Sequence, residues 1–386
     1  MSTRTSFWNA STRGSSLLFL LGVFLIFATF AFAWDQAEMG SGSALRLAIN
    51  ILMTGTFAVA YAASGFALRG QFWKATVPLF VVHFFLMNAL ARWLPGQPRP
   101  TQMDAAETAR IHSHLAWDSL AIVSAVALGY ICFVFVAITQ GRRYFRVRAE
   151  IDLAMEIHRV LVPAIDQKIG GYEFYGRSSP SGDVGGDLID LTGSENDWVA
   201  YVADVSGHGV APGVVMGMVK SAARMLLSSG ENTERLLPRL NEVLYPLKKP
   251  EMFATFCFLA NIGEAKNRDG LRIGLAGHPA ILHLSSRTNE VTRLECPNLP
   301  LAILPSSDFV TSETQTESGD LFALYTDGLP ETENAAAEEY GLPRLIEELR
   351  KHSKEPLAAI SQAIQESVAR HGKQLDDQSL FLIRKL

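Results

Sequence analysis

Hydrophobic and polar positions divide the chain near residue 140 into two parts that follow different rules. Before that point apolar residues come in long unbroken runs; after it they alternate or recur at helical spacing. Leu17 to Trp34 contains no charge and has about the length needed to span a bilayer. Similar runs occupy about 48–68, 77–94 and 120–139, which predicts a four-helix transmembrane region over 1–140. A polar but periodic linker follows over 141–165. In it Val147, Ile151, Ala154, His158 and Leu161 recur at spacings of four and three, a seam of about two heptads closed by Pro163. Two readings fit this seam. It is either an amphipathic helix lying on the next domain, or a connector continuous with the fourth span that pairs two protomers into a homodimer.

From Tyr172 onward the pattern predicts strands. They fall at Tyr172–Arg177, Asp187–Leu191, Trp198–Ala203, Phe253–Ile262, Leu271–Ala276, Ala280–Leu284, Glu290–Leu294, Leu321–Tyr325 and Ser379–Arg384. Short joins such as Ala276-Gly277-His278-Pro279 and Asn267-Arg268-Asp269-Gly270 favour antiparallel pairing. Helices are predicted at Pro212–Leu227, Thr233–Tyr245, Leu342–His352 and Leu357–Arg370. Many antiparallel strands with a few grouped helices define an α+β class: two antiparallel sheets in a sandwich flanked by helices, over 166–386.

Charge sharpens the division. Residues 1–148 carry 12 Lys/Arg against 5 Asp/Glu, a net of +7; the remainder carries 22 against 34, a net of −12. An acidic domain argues against nucleic acid as a partner. Arg142, Arg143, Arg146 and Arg148 follow the fourth run, and Arg69 and Lys74 flank the loop between the second and third. Asp35, Glu38, Asp104, Glu107 and Asp118 fall on the other side, with Arg46, Arg99 and Arg110 as exceptions. This bias places both termini and the C-terminal domain in the cytoplasm, with the chain a multi-pass protein of the inner membrane. The segment from Pro95 to Ala116, with His112 and His114, is then expected to be a solvated outer loop. Ala31-Phe32-Ala33 also fits a signal-peptidase site; cleavage there would leave three spans and the same cytoplasmic domain. His83, inside the third run, is expected to be a satisfied histidine of the bundle. Cys132, Cys257 and Cys296 make no disulfide framework.

The chemistry-bearing residues lie in the second part. Asp187 follows Gly185-Gly186, with Asp190 close behind; Asp204 precedes Gly207-His208-Gly209; Asp327 lies in Tyr325-Thr326-Asp327-Gly328; Asp376-Asp377 precede the last strand. Each alone reads as a turn former. Gathered at one edge of a sheet, they would make an all-oxygen pocket that demands divalent cations. Gly207-His208-Gly209 with Gly213 also looks like a dinucleotide fingerprint, but no alternation of strand and helix follows it.

The stretches GGDLID, ADVSGHGVAPGVVMGMVK, FATFCFLA, AGHPAIL, LYTDGLPETEN and DDQSLFLIR, in this order, resemble the SpoIIE/RsbU-like branch of the metal-dependent protein phosphatases of the 2C type (PPM). The preceding AMEIHRVLVP resembles the linker helix of that branch. The resemblance covers about Ile151 to Leu386. It implies a phosphoprotein phosphatase acting on phosphoserine or phosphothreonine, with two Mn²⁺ or Mg²⁺ ions. It implies Asp204 as the ligand shared by both ions and the Val205 carbonyl as a ligand of one. Asp187 would act on the first-metal side, Asp327 and Asp376 would hold the second ion, and Asp377 is the less favoured of its pair. His208 is either a general acid or a shaper of the glycine loop, and His278 is structural. No counterpart of the phosphate-holding arginine of eukaryotic relatives is recognisable. The implied substrate is a regulatory phosphoprotein, with a small anti-sigma-factor antagonist as the natural candidate. The alternative is a catalytically silent module of the same fold that docks a partner.

Overall fold

The computed structural model describes residues 13–68, 71–94, 104–207, 209–261 and 270–386. They fall into two compact units, Met1–Val147 and Arg148–Leu386. His208, Arg69, Arg99 and the predicted turn residues Asn267-Arg268-Asp269 lie outside the described residues.

The first unit consists of helices α1 (Arg13–Ala37), α2 (Ala44–Leu68) and α3 (Trp73–Trp93), and the N-terminal part of α4 (Ala105–Leu161). His83 stacks on Phe57 at 4.4 Å between ring centroids and lies 3.4 Å from the Tyr61 hydroxyl, as a satisfied bundle histidine should. The solvated-loop expectation fails for 105–116. Helix α4 begins at Ala105, where the Asp104 side chain accepts the Glu107 N–H at 2.6 Å and caps the first turn. His114 is also not free, because its Nε2 meets the Asp35 carboxylate at 2.7 Å. Helix α4 continues through the predicted fourth run and the linker to Leu161.

The second unit is a sandwich of two antiparallel sheets. Its strands are β1 (Ile165–Ile169), β2 (Tyr172–Ser179), β3 (Leu188–Thr192), β4 (Val199–Val205), β5 (Ala254–Asn261), β6 (Gly270–Ala276), β7 (Ile281–Leu284), β8 (Val291–Leu294), β9 (Ser312–Gln315), β10 (Leu321–Tyr325) and β11 (Gln378–Lys385). One sheet has the order β1-β2-β11-β10-β7-β8 and the other β3-β4-β5-β6-β9. Helices α5 (Val210–Ser228) and α6 (Leu236–Leu244) cover the second sheet; α7 (Leu342–His352) and α8 (Leu357–His371) cover the first.

Three apolar layers follow from the alternation along the strands. Ile189, Trp198, Val202, Leu259, Phe322 and Phe381 fill the space between the sheets. Leu188, Tyr201, Phe256, Val215, Met216 and Leu240 join the second sheet to α5 and α6. Leu282, Leu324's neighbour Ala323, Leu345, Ile360 and Ile364 join the first sheet to α7 and α8. Among the described residues, five helices, including α5, are long and apolar enough to cross a membrane by length and composition. In α5 that apolarity serves the core, since Val215, Met216, Val219, Ala222 and Ala223 are buried.

Strands β1 and β9 were not expected. Only Ile165 is fully buried in β1, and β9 has no buried residue. Both are edge strands held by backbone pairing, with polar side chains that give no alternation signal.

Candidate metal centre

Strand register gathers the acidic residues. Leu188 pairs with Ala203, so the start of β3 and the end of β4 lie side by side, carrying Asp187 and Asp204. Tyr325 pairs with Leu380, so the end of β10 and the start of β11 adjoin, carrying Asp327 and Asp376-Asp377. The two strand pairs face each other across the sandwich, and all five carboxylates converge on one edge.

Asp187 is almost fully buried. Its Oδ2 accepts the Thr326 hydroxyl at 2.8 Å and the Ser379 hydroxyl at 2.6 Å, which ties one sheet to the other. Burial, followed by the Asp204 charge, raises the Asp187 pKa well above the usual carboxylate range, and the two hydroxyls oppose that rise. Burial, then the charges of Asp327, Asp376 and Asp377, push Asp204 up to about 7. Asp327 is raised by burial and by Asp376. Glu331, at the exposed rim, is raised by burial and then by Asp327. Such mutual repulsion is the signature of a carboxylate cluster built to face cations.

Asp376 and Asp377 divide their labour. The Asp377 carboxylate is buried and accepts backbone N–H bonds from Ser181 and Gly186, both at 2.7 Å. It anchors the loop that enters β3. Asp376 is exposed, and its Oδ1 accepts the N–H of Asp377 at 2.8 Å. Two glycines permit this crowding. A Cβ on Gly328 would sit 2.0 Å from the Asp377 carbonyl, and one on Gly186 would sit 2.7 Å from the Val205 carbonyl.

Asp190 does not join the cluster. Its side chain points to the opposite side of β3 from Ile189, toward α5. There it accepts the Tyr201 hydroxyl at 2.5 Å, Arg224 at 2.7 and 2.8 Å, and Lys220 at 3.2 Å. His278 is buried, and burial holds its imidazole down at about 4, so the ring is neutral. Sequence reasoning missed Thr326, Ser379 and the anchoring role of Asp377. Thr326 and Ser379 are signalled only by their places beside Asp327 and Asp377.

The C-terminal part of α4 packs near this edge. Ala154, His158 and Leu161 line a cavity of about 150 Å³ together with Val184, Val210 and Gly213. That end of the seam is therefore covered in part by its own chain.

A cluster whose donors are carboxylate oxygens suits hard divalent cations. Solved structures share this fold. The chain resembles the SiaA-PP2C domain of Pseudomonas aeruginosa with a TM-score of 0.53 at 18% identity, covering 63% of this chain and 98% of that one. It resembles the RsbU and RsbW domains of a Mycobacterium tuberculosis protein with a TM-score of 0.50 at 21% identity, covering 58% and 61%. The second unit thus has the PPM phosphatase fold. The profile of Stage II sporulation protein E (SpoIIE) matches residues 194–386, and the chain belongs to that family. It is also 28% identical over 204 residues to the phosphoserine phosphatase RsbU of Bacillus subtilis (strain 168), which spans 52% of this chain and 60% of that relative's length.

Proposed function

We propose that the chain is a membrane-anchored, metal-dependent protein phosphatase that hydrolyses phosphoserine or phosphothreonine on a regulatory protein. The observation that carries this reading is the convergence of Asp187, Asp204, Asp327 and Asp376 at one sandwich edge. Asp187, Asp204, the Val205 carbonyl, Asp327 and Asp376 would hold two ions, Mn²⁺ or Mg²⁺. When bound, these supply an activated water and Lewis acidity toward a phosphate ester.

The remaining residues prepare that arrangement. Thr326 and Ser379 fix Asp187 by hydroxyl hydrogen bonds, so it does not reorganise when charge arrives. Asp377 holds the Ser181–Gly186 loop, which keeps Gly186 against the Val205 carbonyl. Asp204, on the last turn of a buried strand, presents its carboxylate between the two strand pairs. His208 follows on the glycine loop, where it serves as a proton donor to a leaving alkoxide or as a loop former.

The phosphoserine activity of the B. subtilis relative supports the substrate class, and the family resemblance favours a small anti-sigma-factor antagonist. The charge bias around the apolar helices supports an inner-membrane anchor with the second unit in the cytoplasm. The test is Mn²⁺-dependent release of phosphate from an aryl phosphate, and then from a serine-phosphorylated antagonist protein. Absence of turnover at saturating Mn²⁺ would favour a silent docking module. A periplasm-dependent reporter should be silent after Leu386 and active near Thr101; the reverse pattern would refute the orientation.

A further inference from the structure

A second cluster of metal-ligating side chains lies in the first unit. Asp35, near the end of α1, and His114 and Asp118, one turn apart on α4, bring one ligand atom each within 4.8 Å of one another. His114 Nε2 is 2.7 Å from Asp35 Oδ2 and 3.7 Å from Asp118 Oδ2. A single imidazole nitrogen carries at most one proton, so it cannot serve both carboxylates. Asp118 is 3% exposed, and its Oδ2 is buried with no hydrogen-bond partner. An orphaned, aimed carboxylate oxygen is costly unless something else meets it.

His114 is the cation-capable group at the cluster, and its contact with Asp35 leaves the buried Asp118 Oδ2 without a hydrogen bond. The buried Arg46 is taken by Glu38, with contacts of 2.8 and 3.1 Å. The turn after α1 closes over the cluster, and a Cβ on Gly42 would lie 2.7 Å from Asp35 Oδ1. The His114 side chain is 43% exposed, which leaves an entry path and room for a water.

We propose that Asp35, His114 and Asp118 form a site for one divalent transition ion of the zinc class, separate from the phosphatase centre. One nitrogen and two carboxylate oxygens with a fourth position open to water is a set that suits Zn²⁺. Bonds of about 2.0–2.2 Å at tetrahedral angles separate ligand atoms by about 3.3–3.6 Å. The 2.7 Å contact must open by about 0.6–0.9 Å and the 3.7 Å one must close by a few tenths of an ångström. The site joins α1 to α4, so an ion bound there would fasten the two helices at one end.

The test is a Zn²⁺ titration of the full chain in detergent, stripped of metal. It is done in an Asp204→Asn background so that the phosphatase centre contributes little. One equivalent should bind with a Kd at or below about 1 µM. Adding Asp118→Asn or His114→Ala should weaken binding by at least about a hundredfold. His114→Cys should retain it and, with Co²⁺, give a thiolate-to-metal absorption band that the parent lacks; this variant distinguishes lost ligation from lost folding. Binding that is absent, or unchanged by both Asp118→Asn and His114→Ala, would overturn the proposal. So would a rise in melting temperature for Asp118→Asn without any Zn²⁺ effect, which would mean the carboxylates share a proton instead.

Discussion

Asp190→Asn should destabilise the second unit by about 3 kcal/mol without touching the proposed metal ligands. Asp190 is 2% exposed, and its two oxygens accept four hydrogen bonds from Tyr201, Lys220 and Arg224. The substitution removes the charge and turns one oxygen into a donor. In either amide orientation that donor faces Arg224 together with Lys220 or Tyr201. Breaking a buried pair costs about 3–5 kcal/mol. The lower end applies here because the Arg224 side chain is 51% exposed and regains water, whereas Lys220 is 10% exposed and does not. For a domain of this size the melting temperature should fall by about 6–12 °C. Urea unfolding of residues 148–386 measures it directly. Asp190→Asn with Lys220→Met should recover part of the loss, because the buried ammonium that the first change leaves without its carboxylate is removed. Burial alone would raise the Asp190 pKa, but Arg224, Tyr201 and Lys220 outweigh it and hold it below the usual range. The stabilisation is therefore complete above the unfolded value near 3.9 and lost as pH falls through the lower folded value. Parent and Asn variant should converge only below about pH 4. A loss under about 1 kcal/mol, or a difference that grows as pH falls toward 4, would refute the account.

Three further outcomes are expected. Asp204→Asn should lower turnover at least about a hundredfold while its metal-free melting temperature stays level or rises, since repulsion with Asp327 and Asp376 is relieved; Asp376→Asn should be partly rescued by raised Mn²⁺, and a Mn²⁺ titration of both variants checks the pair. Gly328→Ala should impair both folding and activity, because its Cβ would lie 2.0 Å from backbone at Asp377; a melting temperature within 1–2 °C of the parent, about 0.5 kcal/mol, would contradict that geometry. Residues 140–386 should dimerise through the linker seam that includes Ile151, and Ile151→Glu should alter the activity of the full chain; sedimentation showing only monomer at high micromolar concentration, with unchanged Ile151→Glu activity, would remove the homodimer.

The sequence by itself determined the two-part organisation, because a bilayer-length apolar run and an alternating strand are both one-dimensional patterns. It also determined most of the sandwich strands and the four helices that cover it, from Tyr172–Ser179 through Gln378–Lys385. The candidate ligands are legible as Asp at or near strand ends, two of them, Asp187 and Asp327, beside Gly. Tertiary structure decided what those signals meant. Asp187 and Asp190 are three residues apart in one acidic stretch, yet register sends one to the carboxylate cluster and the other to a cation network under α5. Adjacent Asp376 and Asp377 separate in the same way, one exposed at the cluster and one bound to a loop nearly two hundred residues earlier in the chain. Edge strands β1 and β9 stayed invisible because backbone pairing leaves no mark on side-chain polarity. His114 was read as a loop residue because its partner Asp35 is 79 positions away, and only the approach of α1 to α4 brings them together. Local pattern reports what a residue can bury; which charge it meets depends on contacts between segments distant in sequence.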